Sequence, residues 1–232
     1  GELHLAGTAD SVWNCARLKV ASNVAVVADG GQNVYCVTVD GLTSVESIEG
    51  LDNYGVRDVS PINGKICFYL PNGTYEFAVN GAEYAAIVNG AATTANLLTV
   101  EYLDWNGEEL VETSTANYTF LTADTRVLLA GKTYVVRGEV TNATDGIEVK
   151  GTEANPTRLV LCDGAKLKVD GVADKAGIAV GAYGDMTNAL IICGQAEGTG
   201  ALEATGGSQG AGIGGGSGCA GGSVIINGGT VT

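Results

Sequence analysis

Short aliphatic segments alternate with glycine-rich turns along the last third of the chain, and one pattern returns three times. The copies start at residues 158–162, 189–193 and 223–227, and they continue at 166–169, 201–205 and 230–232. Cys162, Cys193 and Asn227 stand at equivalent places, which gives periods of 31 and then 34 residues. A fixed period in this range, with strands of a few residues, is typical of a solenoid.

Further short segments complete each repeat. Residues 177–181 and 211–216 form the third sides, and residues 132–138 and 146–151 begin the series. Three short strands per period of about 30 residues indicate a right-handed parallel β-helix, in which inward aliphatic side chains form ladders. We therefore predict such a solenoid over residues 126–232, with Cys162 and Cys193 as successive steps of one ladder.

The first part of the chain has strand-like alternation and no helical periodicity. The runs lie at 16–20, 24–28, 34–39, 65–70, 74–79 and 82–88, with Asn-Gly pairs at 72–73, 80–81 and 89–90. Asn-Gly favours a hairpin because both residues tolerate positive φ in a type I′ turn. Three such turns predict an antiparallel meander, and we expect a small antiparallel β-sandwich over residues 1–98.

Residues 99–125 join the two regions. We predict an entry strand and a cap over the first coil, since an uncovered coil end exposes strand-edge amides and apolar core. Trp105 is the expected plug of this cap, and an exposed, sugar-stacking tryptophan is the alternative. The predicted fold is therefore all-β: an N-terminal antiparallel β-sandwich, a linking segment, and a right-handed parallel β-helix that breaks off partway round a coil.

The net charge of the chain limits the classes of binding partner that we expect. Twelve basic against 26 acidic residues give a net charge of −14, which disfavours nucleic acid and anionic membrane surfaces. No uninterrupted apolar run of about 18 residues is present, so we predict no membrane insertion. Neither end carries a secretion or sorting signal, and we expect both ends to be processed, trimmed or truncated.

The six cysteines lie at 15, 36, 67, 162, 193 and 219, with no CxxC pair and a single histidine, His4. This pattern excludes most zinc-ligand spacings. Their scatter through apolar segments favours buried free thiols, with one or more disulfides as the alternative.

Candidate chemistry in the repeats is sparse. Residues 210–215 fit G-x-G-x-x-G, but no helix can follow, so we interpret these glycines as corners of the coil. The acidic residues of the coils stand mostly beside glycine, where turns explain them, and no Asp/His cluster typical of a glycosidase is present. We predict no enzymatic activity and no cofactor; Ca²⁺ bound by Asp163, Asp170 or Asp185 is the alternative.

Two stretches resemble modules of bacterial surface proteins. Residues 70–77, 79–81 and 91–94 resemble the prealbumin-like or Ig-like modules of secreted Gram-positive proteins, which usually act as spacers. Residues 159–165, 192–200, 204–207, 211–216 and 225–231 resemble the Gly-rich, AGIGGG-type repeat region of large secreted proteins of anaerobic Gram-positive bacteria. Those proteins are similar to β-helix carbohydrate-binding domains and, more remotely, to pectate-lyase-like solenoids.

The resemblance implies an extracellular or cell-surface location and a glycan ligand. By analogy with such modules, Lys19 or Lys65 would form an isopeptide bond with an asparagine beside Glu76.

Two functions follow as hypotheses. The first is a non-catalytic surface stalk, spacer or self-assembling fibre subunit. The sequence stops partway round a coil, so either it is cut from a longer protein or the N-terminal strands of a neighbouring copy complete the coil. Its assembly edge would comprise Val224, Ile225, Ile226, Thr230, Val231 and Thr232. The second is a polysaccharide-binding module, with a polysaccharide lyase or hydrolase as a remote alternative. Its candidate contacts are Arg158, Lys166, Lys168, Tyr183 and Trp105.

Overall fold

The computed structural model describes residues 2–5, 24–28, 31–54, 56, 59–142, 145–181 and 186–232. The chain divides into two units, residues 1–99 and 100–232. Both units consist of β-strands, and the second contains parallel sheets, which confirms the prediction of an all-β chain with parallel sheets. The only helical segment of the described residues is a 3-10 turn at Asp52–Tyr54.

The first unit contains nine strands in its described part. They are β1 (Glu2–Leu5), β2 (Ala25–Ala28), β3 (Asn33–Asp40), β4 (Ile48–Glu49), β5 (Lys65–Leu70), β6 (Gly73–Val79), β7 (Ala82–Val88), β8 (Thr93–Thr94) and β9 (Asn96–Leu97). Sheet A has the order β1-β2-β3-β5, with β8 also beside β3, and sheet B has the order β4-β6-β7-β9.

Side chains from sheets A and B share one buried cluster. Phe68 of β5 meets Phe77 of β6 edge to face, with ring centroids 5.5 Å apart. Phe77 in turn stacks on Tyr84 of β7 at 5.9 Å. Aromatic pairs in such geometry stabilise a core beyond their area burial.

Only one of the three Asn-Gly turns closes a hairpin, so the predicted meander is wrong. Asn80 and Gly81, with φ of 52° and 75°, join β6 to β7. The pairs at 72–73 and 89–90 instead carry the chain between the two sheets. The two crossings are tied together, since Asn72 Oδ1 accepts a hydrogen bond from Gly90 N at 2.7 Å.

Two strand pairs also depart from the purely antiparallel prediction. Strands β1 and β2 pair in parallel, and so do β3 and β8. The strand predicted at 16–20 lies outside the described residues.

The second unit contains fifteen strands in its described part. They are β10 (Val100–Trp105), β11 (Leu110–Thr115), β12 (Thr119–Phe120), β13 (Val127–Leu128), β14 (Thr133–Val136), β15 (Glu139–Asn142), β16 (Ile147–Val149), β17 (Thr157–Leu161), β18 (Lys166–Asp170), β19 (Ile178–Ala179), β20 (Ala189–Gly194), β21 (Ala201–Thr205), β22 (Ile213–Gly214), β23 (Ser223–Ile226) and β24 (Thr230–Val231).

Strands β10 and β11 form an antiparallel hairpin, and the others form three parallel sheets. Sheet I has the order β12-β14-β17-β20-β23, sheet II the order β15-β18-β21-β24, and sheet III the order β13-β16-β19-β22. From β14 onward the chain visits sheets I, II and III in that order and then begins again. We call each such circuit a repeat.

Aliphatic side chains at paired positions fill the interior of this unit. In sheet I, Tyr134, Leu159 and Ile192 pair along one column, and the latter two are fully buried. Ile147 and Ile178 form a matching column in sheet III. Each buried aliphatic side chain contributes about 1.5–3 kcal/mol, so the columns stabilise the stacking of one repeat on the next.

The predicted ladder of Cys162 above Cys193 is wrong. Cys193 pairs with Val160, so Cys162 lies two positions beyond its expected partner. The observed register instead pairs Leu159 with Ile192 and Val160 with Cys193, and all four side chains are fully buried.

Of the cysteines, Cys36 of β3 and Cys67 of β5 form a disulfide. Cys162 and Cys193 are buried free thiols, and Cys219 is a half-buried one. Both interpretations of the cysteines therefore apply, each to different residues. Cys15 lies outside the described residues.

Candidate functional site: the outermost strand of sheet I and the hairpin beside it

Strand β23 is the outermost strand of sheet I, and its aliphatic side chains are exposed. Val224 and Ile226 pair with Leu190 and Ile192 of β20. The β20 residues are 0% exposed, whereas Val224 and Ile226 are 37% and 52% exposed. Side chains of the same two columns are therefore buried at β20 and exposed to solvent at β23.

The segment that forms this end carries no charge of its own. The chain from Ala204 to Thr232 contains neither acidic nor basic residues and no proline. Natural proteins usually blunt free strand edges with lysine, proline or an inward charge. An aliphatic edge that has none of these features is suited to pairing with another strand.

Of the other predicted edge residues, two are exposed to solvent and one packs against the core. Thr230 and Thr232 are exposed, while the half-buried Val231 packs against the core. Thr230 N and Thr232 N donate to Gly200 O and Leu202 O, each at 2.9 Å. Strand β24 is therefore held to the preceding repeat along one side.

The β10–β11 hairpin covers the outer face of sheet I. Val135, Val160 and Cys193 form one outward column, and all three are fully buried. Val100 and Tyr102 of β10 belong to the same apolar cluster. The hairpin thus shields a face that would otherwise expose an apolar stripe.

Asp104 fixes the hairpin to two repeats at once. Its Oδ2 accepts a hydrogen bond from Arg158 Nε, and its Oδ1 accepts one from Asn227 Nδ2, both at 2.9 Å. Gln195 Nε2 adds a bond to Glu101 O at 2.8 Å. Sequence analysis did not predict these hydrogen bonds, because Asp104 and Asn227 lie 123 positions apart in the chain.

Burial around the hairpin shifts two ionisable groups. It raises the pKa of the Cys193 thiol to about 12, an effect that the Asp104 carboxylate reinforces and Arg158 opposes. Burial also raises the pKa of the Tyr102 hydroxyl. Both groups are therefore neutral at physiological pH, and the thiol is not activated as a nucleophile.

Trp105 does not plug the core as predicted. It stands at the end of β10, opposite Leu110, and is 55% exposed. The alternation of the strand places Val100 and Tyr102 against the core, which leaves the last residue of the strand outside.

The candidate glycan contacts do not form one cluster. Arg158 lies on sheet I and pairs with Asp104, whereas Lys166 and Lys168 lie on sheet II. A groove of about 400 Å³ crosses sheet II; its polar lining consists of Glu139, Thr141, Lys166, Lys168, Glu203, Thr230 and Thr232. Tyr183 lies outside the described residues.

Both lysines of the groove face carboxylates. Lys166 Nζ lies 3.6 Å from Glu139, and Lys168 Nζ lies 3.8 Å from Glu203 and 3.9 Å from Asp170. These pairs are well exposed, so each contributes little to stability. The groove therefore combines cations, anions and hydroxyls, without the excess of positive charge that an acidic glycan requires.

Asp163, a candidate calcium ligand, instead stabilises a turn by accepting hydrogen bonds from the backbone. Its carboxylate accepts hydrogen bonds from Glu197 N at 3.2 Å and Thr199 N at 3.1 Å, both in the next repeat. Asp170 lies near Lys168, and Asp185 is outside the described residues. The described residues contain no group of three or more side chains suited to a metal ion.

A second groove, of about 460 Å³, lies on sheet III and was not predicted. Arg126, Asp145, Glu148 and Lys175 supply its charged walls, together with Asp174. Lys175 donates to Asp145 at 2.8 Å, which lowers the pKa of that carboxyl.

The isopeptide analogy fails at Lys65. Its Nζ pairs with Asp40 Oδ2 at 3.1 Å on sheet A, while Glu76 belongs to sheet B. Lys19 lies outside the described residues.

Comparison of the chain with protein-family models, with curated proteins and with solved structures gave no match. Within the described part of the chain, no helix has the length and apolar character needed to cross a membrane.

Proposed function

We propose that the second unit is a right-handed parallel β-helix, that the first is a small β-sandwich, and that the chain is a structural module of an extracellular or surface protein. In this role it is a stalk, spacer or assembly subunit without catalysis. The constant visiting order of sheets I, II and III supports the β-helix. Crossovers between parallel strands are right-handed in nearly all proteins, which supports the hand.

The observation that carries the proposal is the repeated column of sheet I. Leu190 and Ile192 are buried between two repeats, whereas Val224 and Ile226, in the same columns, are open. A solenoid grows by adding units that contact only their neighbours. The exposed column is the surface that a further coil would bury.

Two features support a location outside the cell. The disulfide between Cys36 and Cys67 is typical of oxidising compartments. The net charge of −14 keeps an extended module soluble and away from anionic surfaces.

Duplicating one coil tests the structural role. Residues 189–222 contain β20, β21 and β22, and a second copy of this segment is inserted between Gly222 and Ser223. If coils are interchangeable units, the longer chain folds cooperatively and its denaturation midpoint stays equal or rises. The control inserts the same residues in scrambled order. Equal disruption by both insertions would contradict the proposal.

Polysaccharide binding is the second candidate. The exposed indole of Trp105 supports it, since a free aromatic face is what sugar rings stack on. The groove with Lys166, Lys168 and Thr141 supplies hydrogen-bonding groups on a different sheet. A glycan array with and without Ca²⁺ tests this candidate, with Trp105→Ala and Lys166→Ala/Lys168→Ala as variants. Absence of any binder removes it.

A further inference from the structure

We propose that β11 is a docking edge for an extended polypeptide segment that carries an apolar side chain and, two residues away, a lysine or arginine. The segment would add a third, antiparallel strand to the β10–β11 hairpin. Such a partner is additional to the proposed structural role. Three features of the hairpin support it: a free strand edge, an exposed apolar pair and unpaired carboxylates.

The two edges of the hairpin differ. On the β10 side, Gln195 Nε2 donates to Glu101 O at 2.8 Å, whereas β11 pairs only with β10 among the described strands. In an antiparallel edge strand, every second residue directs its N–H and C=O groups away from the paired strand. Strand β11 contains neither the proline nor the lysine that usually blunts such an edge. This edge is therefore open to one more strand.

An apolar pair lies at one end of this edge. Trp105 and Leu110 stand directly opposite each other and are 55% and 44% exposed. The half-buried Leu103, two residues before Trp105, shares their face of the hairpin because strand side chains alternate. The two leucines beside the indole favour an aliphatic or aromatic side chain as the occupant, because a sugar would place hydroxyl groups against them.

The charge of the hairpin favours a cationic partner. Its exposed carboxylates belong to Glu101, Glu108, Glu109 and Glu112, and none of them forms an ion pair with a described residue. Residues 66–125 contain no lysine, arginine or histidine. A lysine or arginine of the partner is attracted here, and its alkyl stem covers apolar surface, whereas an acidic segment is repelled.

The spacing along β11 sets the spacing in the partner. Leu110 and Glu112 lie two residues apart and therefore on the same face of the strand. An apolar side chain beside Leu110 thus places the side chain two residues along beside Glu112. Asn106 Oδ1 accepts hydrogen bonds from Glu108 N and Glu109 N at 2.8 and 2.9 Å, which fixes the turn that precedes this edge.

Fluorescence anisotropy of two labelled heptapeptides, TLTKTKT and TLTETET, tests the docking edge on the unaltered chain. As strands, both peptides place leucine and then lysine or glutamate on one face. We expect the basic peptide to bind at least about tenfold more tightly than the acidic one, with an affinity that falls as salt is raised. Equal affinities, or no binding of the basic peptide, overturn the proposal.

Two variants locate the contact. Glu112→Lys should reduce the ratio of the two affinities at least about fivefold. The control, Glu76→Lys, makes the same change of charge at an exposed residue of β6 in the first unit and should leave the ratio intact. Equal responses would show an effect of net charge alone and overturn the site. A neutral polysaccharide stacked on Trp105 would not respond to the charge at residue 112, so its binding is told apart from that of the peptide.

Backbone pairing is tested separately, again on the unaltered chain. N-methylation of alternate amides of TLTKTKT removes the donors of one edge of the peptide at a time. In one phase it should abolish binding, and in the other it should leave binding largely unchanged, because only one edge of an antiparallel peptide faces β11. Equal effects of the two phases overturn the addition of a strand.

Discussion

Asp104 Oδ2 lies 2.9 Å from Arg158 Nε, and this ion pair fastens the β10–β11 hairpin to the outer face of sheet I. The two side chains are only 17% and 32% exposed, so water screens the pair incompletely. The second carboxylate oxygen holds Asn227, which follows β23. One side chain therefore joins the hairpin, a middle strand and the outermost strand of the sheet.

Asp104→Ala should lower the free energy of unfolding by about 2–3 kcal/mol, because it leaves Arg158 and Asn227 without a partly buried partner. Denaturant unfolding measures the loss. The control is Asp145→Ala, which removes a well-exposed ion pair with Lys175 at 2.8 Å and should change stability little. Losses of equal size in the two variants would show that the hairpin is not held by Asp104.

Alkaline pH should weaken the fold through Cys193. The thiol has an ordinary pKa of 9.0 when unfolded, and burial raises it to about 12 in the fold. Its contribution is complete below pH 9.0 and is lost as the pH rises through the folded value, by at most about 1.4 kcal/mol per pH unit.

Urea unfolding of the unaltered chain and of Cys193→Ala between pH about 8 and about 11 tests this effect. The stability difference between the two proteins should shrink as the pH rises. Ile178→Ala, which shortens a buried side chain of sheet III that carries no ionisable group, is the control and should show no such trend. A difference that is constant with pH would argue against a buried Cys193.

Neighbouring glycines at one corner should respond differently to alanine. A Cβ at Gly222 would lie 2.2 Å from both Asn188 O and Val180 O, so Gly222→Ala forces the backbones of two repeats apart. A Cβ at Gly221 would meet nothing closer than 3.5 Å. We expect Gly222→Ala to cost at least about 2 kcal/mol and Gly221→Ala to stay within about 0.5 kcal/mol. Thermal unfolding compares them, and similar midpoints would contradict the close stacking of these backbones.

Local patterns in the sequence predicted the strands well. The runs at 65–70 and 82–88 match β5 and β7, and the repeat copy at 189–193 lies within β20, because short aliphatic alternation bounded by turn residues depends on neighbours alone. Which strands pair with each other was harder to predict from the sequence than where the strands lie. Asn80-Gly81 closes a hairpin while the identical pair at 72–73 crosses between sheets, since tertiary packing decides which strand comes next.

The residues of the candidate site were also predicted only in part, because some of their contacts join distant parts of the chain. Val224, Ile225 and Ile226 were recognisable as an edge because they end a repeated pattern. Lys166 and Arg158, close in sequence, lie on different sheets, and the tie from Asp104 to Asn227 spans 123 positions. A contact of that separation leaves no local signal in a single sequence.

The stacking of repeats is tested most directly by one pair of substitutions in a single column of sheet I. Ile192 is 0% exposed and Ile226, its partner one repeat later, is 52% exposed. In dilute solution, urea unfolding should show a loss of about 2–5 kcal/mol for Ile192→Ala and less than about 1 kcal/mol for Ile226→Ala. Equal losses at the two positions would contradict a stack in which the first is enclosed between repeats and the second is open.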